Sequence, residues 1–188
     1  MRFDPDVPLP GARLRPWRAA DAPALQHALE ASEAHLRAWT PWVIDGRVPG
    51  QSLPERLAAH ASAFTNGTEW VYGLFAADDV TVLGGCGLYP RVGPVALEIG
   101  YWLAAPATGR GLATAAASAL TALAFAVPAI ERVEIRCDPR NVASARVPAR
   151  LGFQVDERAS AAADGLQVWI LTRPDDGSPI GPAPRPPS

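Results

Sequence analysis

Residues 97–114 read L-E-I-G-Y-W-L-A-A-P-A-T-G-R-G-L-A-T, and this run constrains the fold more tightly than any other. A strand-like stretch passes through a Pro-containing loop into Gly109 and Gly111, and an alanine-dense helix then runs from about Arg110 to Phe125. Glycines carry no side chain, so backbone N–H groups there can close on an anion, and the helix N-terminus adds partial positive charge. Ala113 and Thr114 are small enough to admit a ligand to the first helical turn. The chemistry this arrangement suits is diphosphate binding.

The remaining elements place that run in a mixed α/β plan. Arg13–Trp17 reads as a strand, and Asp21 as the cap of a helix to about Ala31 with Pro23 in its first turn. His35–Val43 is bulky and apolar, helical or irregular. Ser52 and Glu55 have capping-box spacing for a helix ending near Asn66–Gly67. Glu69–Ala76 and Val80–Tyr89 read as a hairpin about Asp78–Asp79, and Val95–Leu103 as the next strand. After the long helix come a strand at Glu131–Cys137, a helix at Val142–Leu151, and strands at Phe153–Arg158 and Leu166–Arg173. Met1–Ala12 reads as a loose arm and residues 174–188 as a disordered Pro-rich tail, since neither buries enough apolar surface to offset its ordering entropy. One domain over 13–173 is expected from the 188-residue length.

Composition removes several functions. All 17 basic residues are Arg, which excludes a Walker A loop, a pyridoxal Schiff base and any lysine nucleophile. A net charge of −2 argues against broad nucleic-acid or membrane-surface binding. Cys86 and Cys137 form no C-x-x-C pair and are expected to be free buried thiols. His27, His35 and His60 lack metal-ligand spacing, so no metal is expected. Without a signal peptide or a long apolar run, the chain reads as soluble and cytoplasmic.

A dinucleotide fold is one reading of Gly109-x-Gly111, which would make the protein an NAD-dependent oxidoreductase. Thr114 stands where the third glycine belongs, the Leu103–Gly109 loop is too long, and too little chain follows Asp138 for a doubly wound sheet.

With E-I-G-Y-W-L ahead of the loop, T-G-R-G-L-A-T-A-A opening the helix, Asn141-x-x-Ser144 and Leu151-Gly152-Phe153, the chain resembles the GNAT N-acetyltransferase superfamily. The segment His35-Leu36-Arg37-Ala38-Trp39-Thr40-Pro41-Trp42 is similar to its Rim-type branch, which acetylates protein N-termini and related amines. The resemblance spans about Arg13 to Arg173. It implies a mixed, mostly antiparallel sheet flanked by helices and splayed between its fourth and fifth strands, Val95–Leu103 and Glu131–Cys137. It also implies acetyl-CoA as cosubstrate. The pantetheine would pair with backbone near Tyr101, Trp102 and Leu103 and meet Asn141. The diphosphate would sit on Gly109, Arg110, Gly111, Leu112, Ala113 and Thr114, with some of Arg110, Arg140 and Arg146 near the adenosine phosphates. Position 108 departs from the family, holding Thr where Gln or Arg is usual.

Acyl transfer to an amine needs a base, an oxyanion donor and a proton for the leaving thiolate. Glu98, on the strand face opposite Ile99 and Tyr101 and flanked by apolar residues, suits a general base acting directly or through water; a salt-bridged strand Glu is the competing reading. A backbone N–H near Tyr101 would meet the oxyanion. Relatives often place a Tyr acid where Pro148 stands, which leaves Ser144 as donor or merely as a serine in a helix turn capped by Asn141. Pro148 should kink that helix unless it ends early. Trp39 and Trp42 read as core packing before acceptor walls. The acceptor is a peptide N-terminus or a small-molecule amine, and a homodimer is admissible. The alternative from a different class is a GNAT-shaped acyl-CoA-binding module without turnover.

Overall fold

The computed structural model describes residues 1–40 and 51–174, and structural statements below concern those residues. The expected tail beyond 174, and the Pro41–Trp42 end of the tryptophan-rich segment, lie outside them. The strands β1 (Val7–Leu9) and β2 (Ala12–Pro16) precede helices α1 (Ala22–Glu30), α2 (Glu33–Arg37) and α3 (Leu53–Asn66). Next come β3 (Trp70–Ala76), β4 (Val82–Tyr89), β5 (Ala96–Leu103) and α4 (Leu112–Phe125). The chain continues through β6 (Arg132–Cys137), α5 (Val142–Arg150), β7 (Gln154–Val155), α6 (Glu157–Ala161) and β8 (Gln167–Thr172).

All eight strands share one sheet, ordered β1-β2-β3-β4-β5-β6-β8-β7. Neighbours pair antiparallel except β5 and β6, which are parallel because α4 crosses between them. This order leaves no place for a doubly wound dinucleotide sheet. Buried Leu112, Ala116, Leu120 and Ala124 recur at helical spacing on α4, and alanine's high helix propensity fills the rest. Helix α3 opens on the expected box: the Ser52 N–H donates to Glu55 Oε2 (2.7 Å), and the Glu55 N–H to Ser52 Oγ (3.4 Å). It closes on Gly67 at φ 69°.

Three expectations need correction. The first twelve residues are not loose. Val7 pairs with Leu14, Phe3 packs edge-on against Trp70 at 4.7 Å, and the Tyr72 hydroxyl donates to the Asp4 carbonyl at 2.9 Å. Two apolar anchors within a proline-rich segment suffice, because Pro has little backbone entropy to lose. The Phe153–Arg158 strand shrinks to β7, since Asp156 accepts the Ala159 N–H at 2.8 Å and starts α6. Asp21 precedes α1 without capping it by its side chain; Arg15 and the Arg18 N–H hold its carboxylate instead.

Candidate active site

The sheet opens where the chemistry is expected. The β5–β6 register runs from Ala96↔Arg132 to Ile99↔Ile135 and stops, while β5 stays on β4 as far as Leu103↔Gly84. The Ala104 N–H donates to Leu83 O at 2.9 Å, and Val95 O accepts from Glu131 N at 2.8 Å. Strand backbones alternate sides, so Tyr101 and Leu103 turn their N–H and C=O groups into the split. Trp102 turns its own toward β4. Its indole lies over Gly85, where a Cβ would come within 2.7 Å of Nε1. Only a glycine at that position lets the ring lie so close.

Beyond the split, Gly109 (φ 73°) and Gly111 (φ 76°) adopt the left-handed backbone that favours glycine. An added Cβ at either would meet nothing within 4 Å. Gly111 is the N-cap of α4 and makes no side-chain capping bond, so the first turn of N–H groups has no side-chain acceptor. That open, positively polarised end fits a diphosphate. Leu112 is 4% exposed, so its side chain belongs to the core and only its N–H is available. Thr108 turns away, donating Oγ1 to the Ala105 carbonyl at 2.8 Å. Arg110 and Arg146 are exposed. Arg140 is held by Asp138, with Nη2 to Oδ2 at 2.6 Å, and its bonds pull the Asp138 carboxyl down to about 2.

A cavity of about 910 Å3 joins the split to the face of the sheet under α1 and α3. Trp17, Trp39, Leu57, Tyr89 and Trp102 give it apolar walls; Glu69, Arg56 and His60 add polar groups, and Glu98 lies on its floor. Trp39 thus walls the cavity. Burial, and then Arg56, lower the His60 pKa and favour neutral imidazole. Burial pushes the Tyr89 hydroxyl up to about 12.

Glu98 is 6% exposed, and its surroundings are not the apolar ones expected. Arg91 binds it in bidentate fashion, with Nη2–Oε1 2.5 Å and Nε–Oε2 3.0 Å, and Arg136 Nε stands 3.6 Å from Oε2. The salt-bridged reading of Glu98 is therefore met, and the same carboxylate also faces the cavity.

Across the split, Asn141 caps α5 by accepting the Ser144 N–H at 3.1 Å. The Tyr101 hydroxyl donates to the Ser144 carbonyl at 3.1 Å, and its oxygen lies 3.1 Å from Ser144 Oγ. Pro148 explains this contact. Four residues beyond Ser144 it has no N–H to donate, so the Ser144 carbonyl is free for a strand tyrosine. The helix ends soon after, with Leu151 as its C-cap. Burial raises the Tyr101 pKa and keeps the hydroxyl a donor. Cys86 and Cys137 are free and buried.

Sequence reading missed Arg91, Arg136, Glu69 and His60. Arg132, Glu134 and Arg136 alternate along β6 and so share one face of the strand, but alternation alone does not tell which face. Arg91 sits in a loop whose path no periodicity reveals. No cluster of three or more His, Cys, Asp or Glu among the described residues could hold a metal ion, and none of their helices is long and apolar enough to cross a membrane.

Parted parallel strands, a helix opened by glycines, and a carboxylate on the floor of the adjoining cavity form the arrangement expected of an acyl-CoA-dependent transferase. The chain belongs to the GNAT acetyltransferase family, whose domain model matches residues 12–154. It is 28% identical over 131 residues to "Probable N-acetyltransferase YjcK" of Bacillus subtilis strain 168, covering 65% of this chain and 72% of that one. Mycobacterium smegmatis RimJ in complex with CoA-disulfide superposes with TM-score 0.67 at 23% identity, over 90% of this chain and 86% of that one. RimL, a ribosomal L7/L12 α-N-protein acetyltransferase in complex with coenzyme A, superposes with TM-score 0.73 at 20% identity, over 92% and 99%. The protein is an acetyl-CoA-dependent N-acetyltransferase, which displaces the oxidoreductase and binding-module readings.

Proposed function

We propose that this enzyme acetylates the N-terminal amine of a protein or peptide, with Glu98 as general base and Ser144 as proton donor to the departing sulfur. The observation that carries the reading is the continuity of the cavity, which is lined by Glu98 on its floor and by Tyr101, Asn141 and Ser144 at the split. A volume of about 910 Å3 lies at the upper end of the ~300–1,000 Å3 range of small-molecule pockets. That volume includes the split that takes the pantetheine, and the part walled by Trp17, Trp39 and Leu57 admits the first residues of a chain, in keeping with the acceptor named for RimL.

Bound acetyl-CoA supplies an activated thioester. The first-turn N–H groups at Gly109–Thr114 hold its diphosphate, and the Tyr101 and Leu103 backbone pairs with the pantetheine. Glu98 takes a proton from the attacking amine, directly or through water. As the C–N bond forms, a backbone N–H turned into the split, that of Tyr101 first, meets the carbonyl oxygen as it becomes an oxyanion. When the C–S bond breaks, Ser144 Oγ passes a proton to the thiolate while taking one from water, and Glu98 returns its proton to solvent, leaving an N-acetyl amide and free CoA thiol.

The test is thiol release from acetyl-CoA against peptides with free and blocked N-termini, lysine side chains, polyamines and aminoglycosides. Free N-termini should be the preferred acceptors. Glu98→Gln should lose ~100- to 10,000-fold in transfer rate with acetyl-CoA affinity kept, and raising the pH should recover part of the loss. Full activity in that variant removes Glu98 as base. Preference for a polyamine or aminoglycoside removes the peptide acceptor.

A further inference from the structure

Glu134 is buried, 3% exposed, and takes no part in the steps above. The parallel register sets it directly beside Glu98, so two carboxylates on neighbouring strands point to one face. Such a pair is repulsive unless compensated. Three arginines compensate it, and each is placed differently. Arg91 belongs to Glu98 alone, through its two bonds. Arg132 Nη2 bonds Glu134 Oε1 at 2.8 Å and also donates to the Val92 carbonyl at 3.0 Å, which ties it to the loop before β5. Arg136 stands between the two carboxylates. Its Nη2 and Nε reach Glu134 Oε2 at 2.9 and 3.3 Å, while Nε remains 3.6 Å from Glu98 Oε2.

We propose that Glu134 is a positioning residue for acetyl transfer: it holds the Arg136 guanidinium off Glu98, so that Glu98 keeps lone pairs for the acceptor amine. This rests on the reading of Glu98 as base. A carboxylate offers about four lone-pair sites, and Arg91 already occupies two of them. Arg136 needs to move only a few tenths of an ångström to take a third. A second close guanidinium would favour the anion and weaken it as a proton acceptor. Strand alternation puts Arg132, Glu134 and Arg136 in one row on β6, so Glu134 is the partner that Arg136 meets on its own strand, and the fixed Arg132 keeps Glu134 from swinging away.

The experiment compares Glu134→Gln, Arg136→Gln and the double variant for kcat, for KM toward acetyl-CoA and a peptide acceptor, and for melting temperature. Glu134→Gln is expected to lower kcat by about tenfold, well short of the ~100- to 10,000-fold expected when the base itself is lost, with KM for acetyl-CoA unchanged. Adding Arg136→Gln should restore most of that loss, because the damage acts through Arg136. A double variant as slow as Glu134→Gln would mean a structural role and would overturn the proposal, as would wild-type kcat in Glu134→Gln. If that variant does not fold, Arg136→Gln decides alone: a raised kcat supports the proposal and a tenfold fall overturns it. Glu98→Gln keeps the two failures apart. If it is inactive while Glu134→Gln is fully active, only the positioning role falls; if it is fully active, the base itself is lost.

Discussion

Arg15 is 4% exposed, yet its guanidinium meets two carboxylates: Asp21, with Nη1–Oδ2 2.8 Å, and Asp79, with Nε–Oδ1 2.7 Å. It also lies 3.7 Å over the centre of the Phe75 ring. Burial alone would raise the Asp21 pKa, but the Arg15 bond and the Arg18 N–H outweigh it and the net shift is downward. For Asp79 the Arg15 bond is the leading cause of a downward shift. A depressed carboxyl stabilises the fold above its unfolded pKa and loses that contribution as pH falls through the folded value. Asp21→Asn should therefore cost about 1–3 kcal/mol at neutral pH. Below about pH 4, the ordinary aspartate range, its melting temperature should fall less steeply than the wild type's. Parallel melting curves across that range would contradict the linkage. At this scale the sequence was legible wherever a side chain answers to its neighbours along the chain, as Ser52 answers to Glu55. Arg15 and Asp79 are 64 positions apart, and only the β2–β3–β4 pairing brings them together.

Helix α5 shows how an element can differ from the pattern of its family and still complete its hydrogen bonds. Pro148 stands where a tyrosine donor is expected, and its ring leaves the Ser144 carbonyl without a helix N–H. The strand tyrosine Tyr101 makes that bond from the other side of the split. Tyr101→Phe should orphan the carbonyl at a cost of about 1–3 kcal/mol and slow transfer by releasing Ser144. In Tyr101→Phe/Pro148→Ala the N–H returns, so the stability losses should fall short of additive. Additive melting-temperature changes in that cycle would dissolve the link. The elements themselves were largely readable because caps, glycines and alternation are local signals. The exceptions are instructive. Asp156 caps α6 within the Phe153–Arg158 run, whose apolar start reads as a strand. The N-terminal arm looked loose because its anchors, Phe3 and Val7, find their partners far along the chain.

Across the whole molecule, the split and the glycine-opened helix were legible from one run of residues, whereas the cavity was not. Its lining comes from α1, α3, β3, β4, β5, β6, α5 and the loops between them, so no single stretch of sequence announces it. The split has a further consequence. Sheets normally confine unpaired backbone to their outer edges, but here the β5–β6 register stops at Ile99↔Ile135, and the Tyr101 and Leu103 amides point into a split inside an eight-stranded sheet. Without coenzyme they should exchange hydrogen for deuterium quickly, while Leu97 and Ile99, four and two positions upstream of Tyr101 on the same backbone side, stay slow. Acetyl-CoA should slow Tyr101 and Leu103 selectively, behaving toward the sheet as a removable strand. Equal protection of all four amides in the free enzyme would contradict this. If the exchange pattern holds, the coenzyme stitches the sheet together with each turnover and its release unpicks it again.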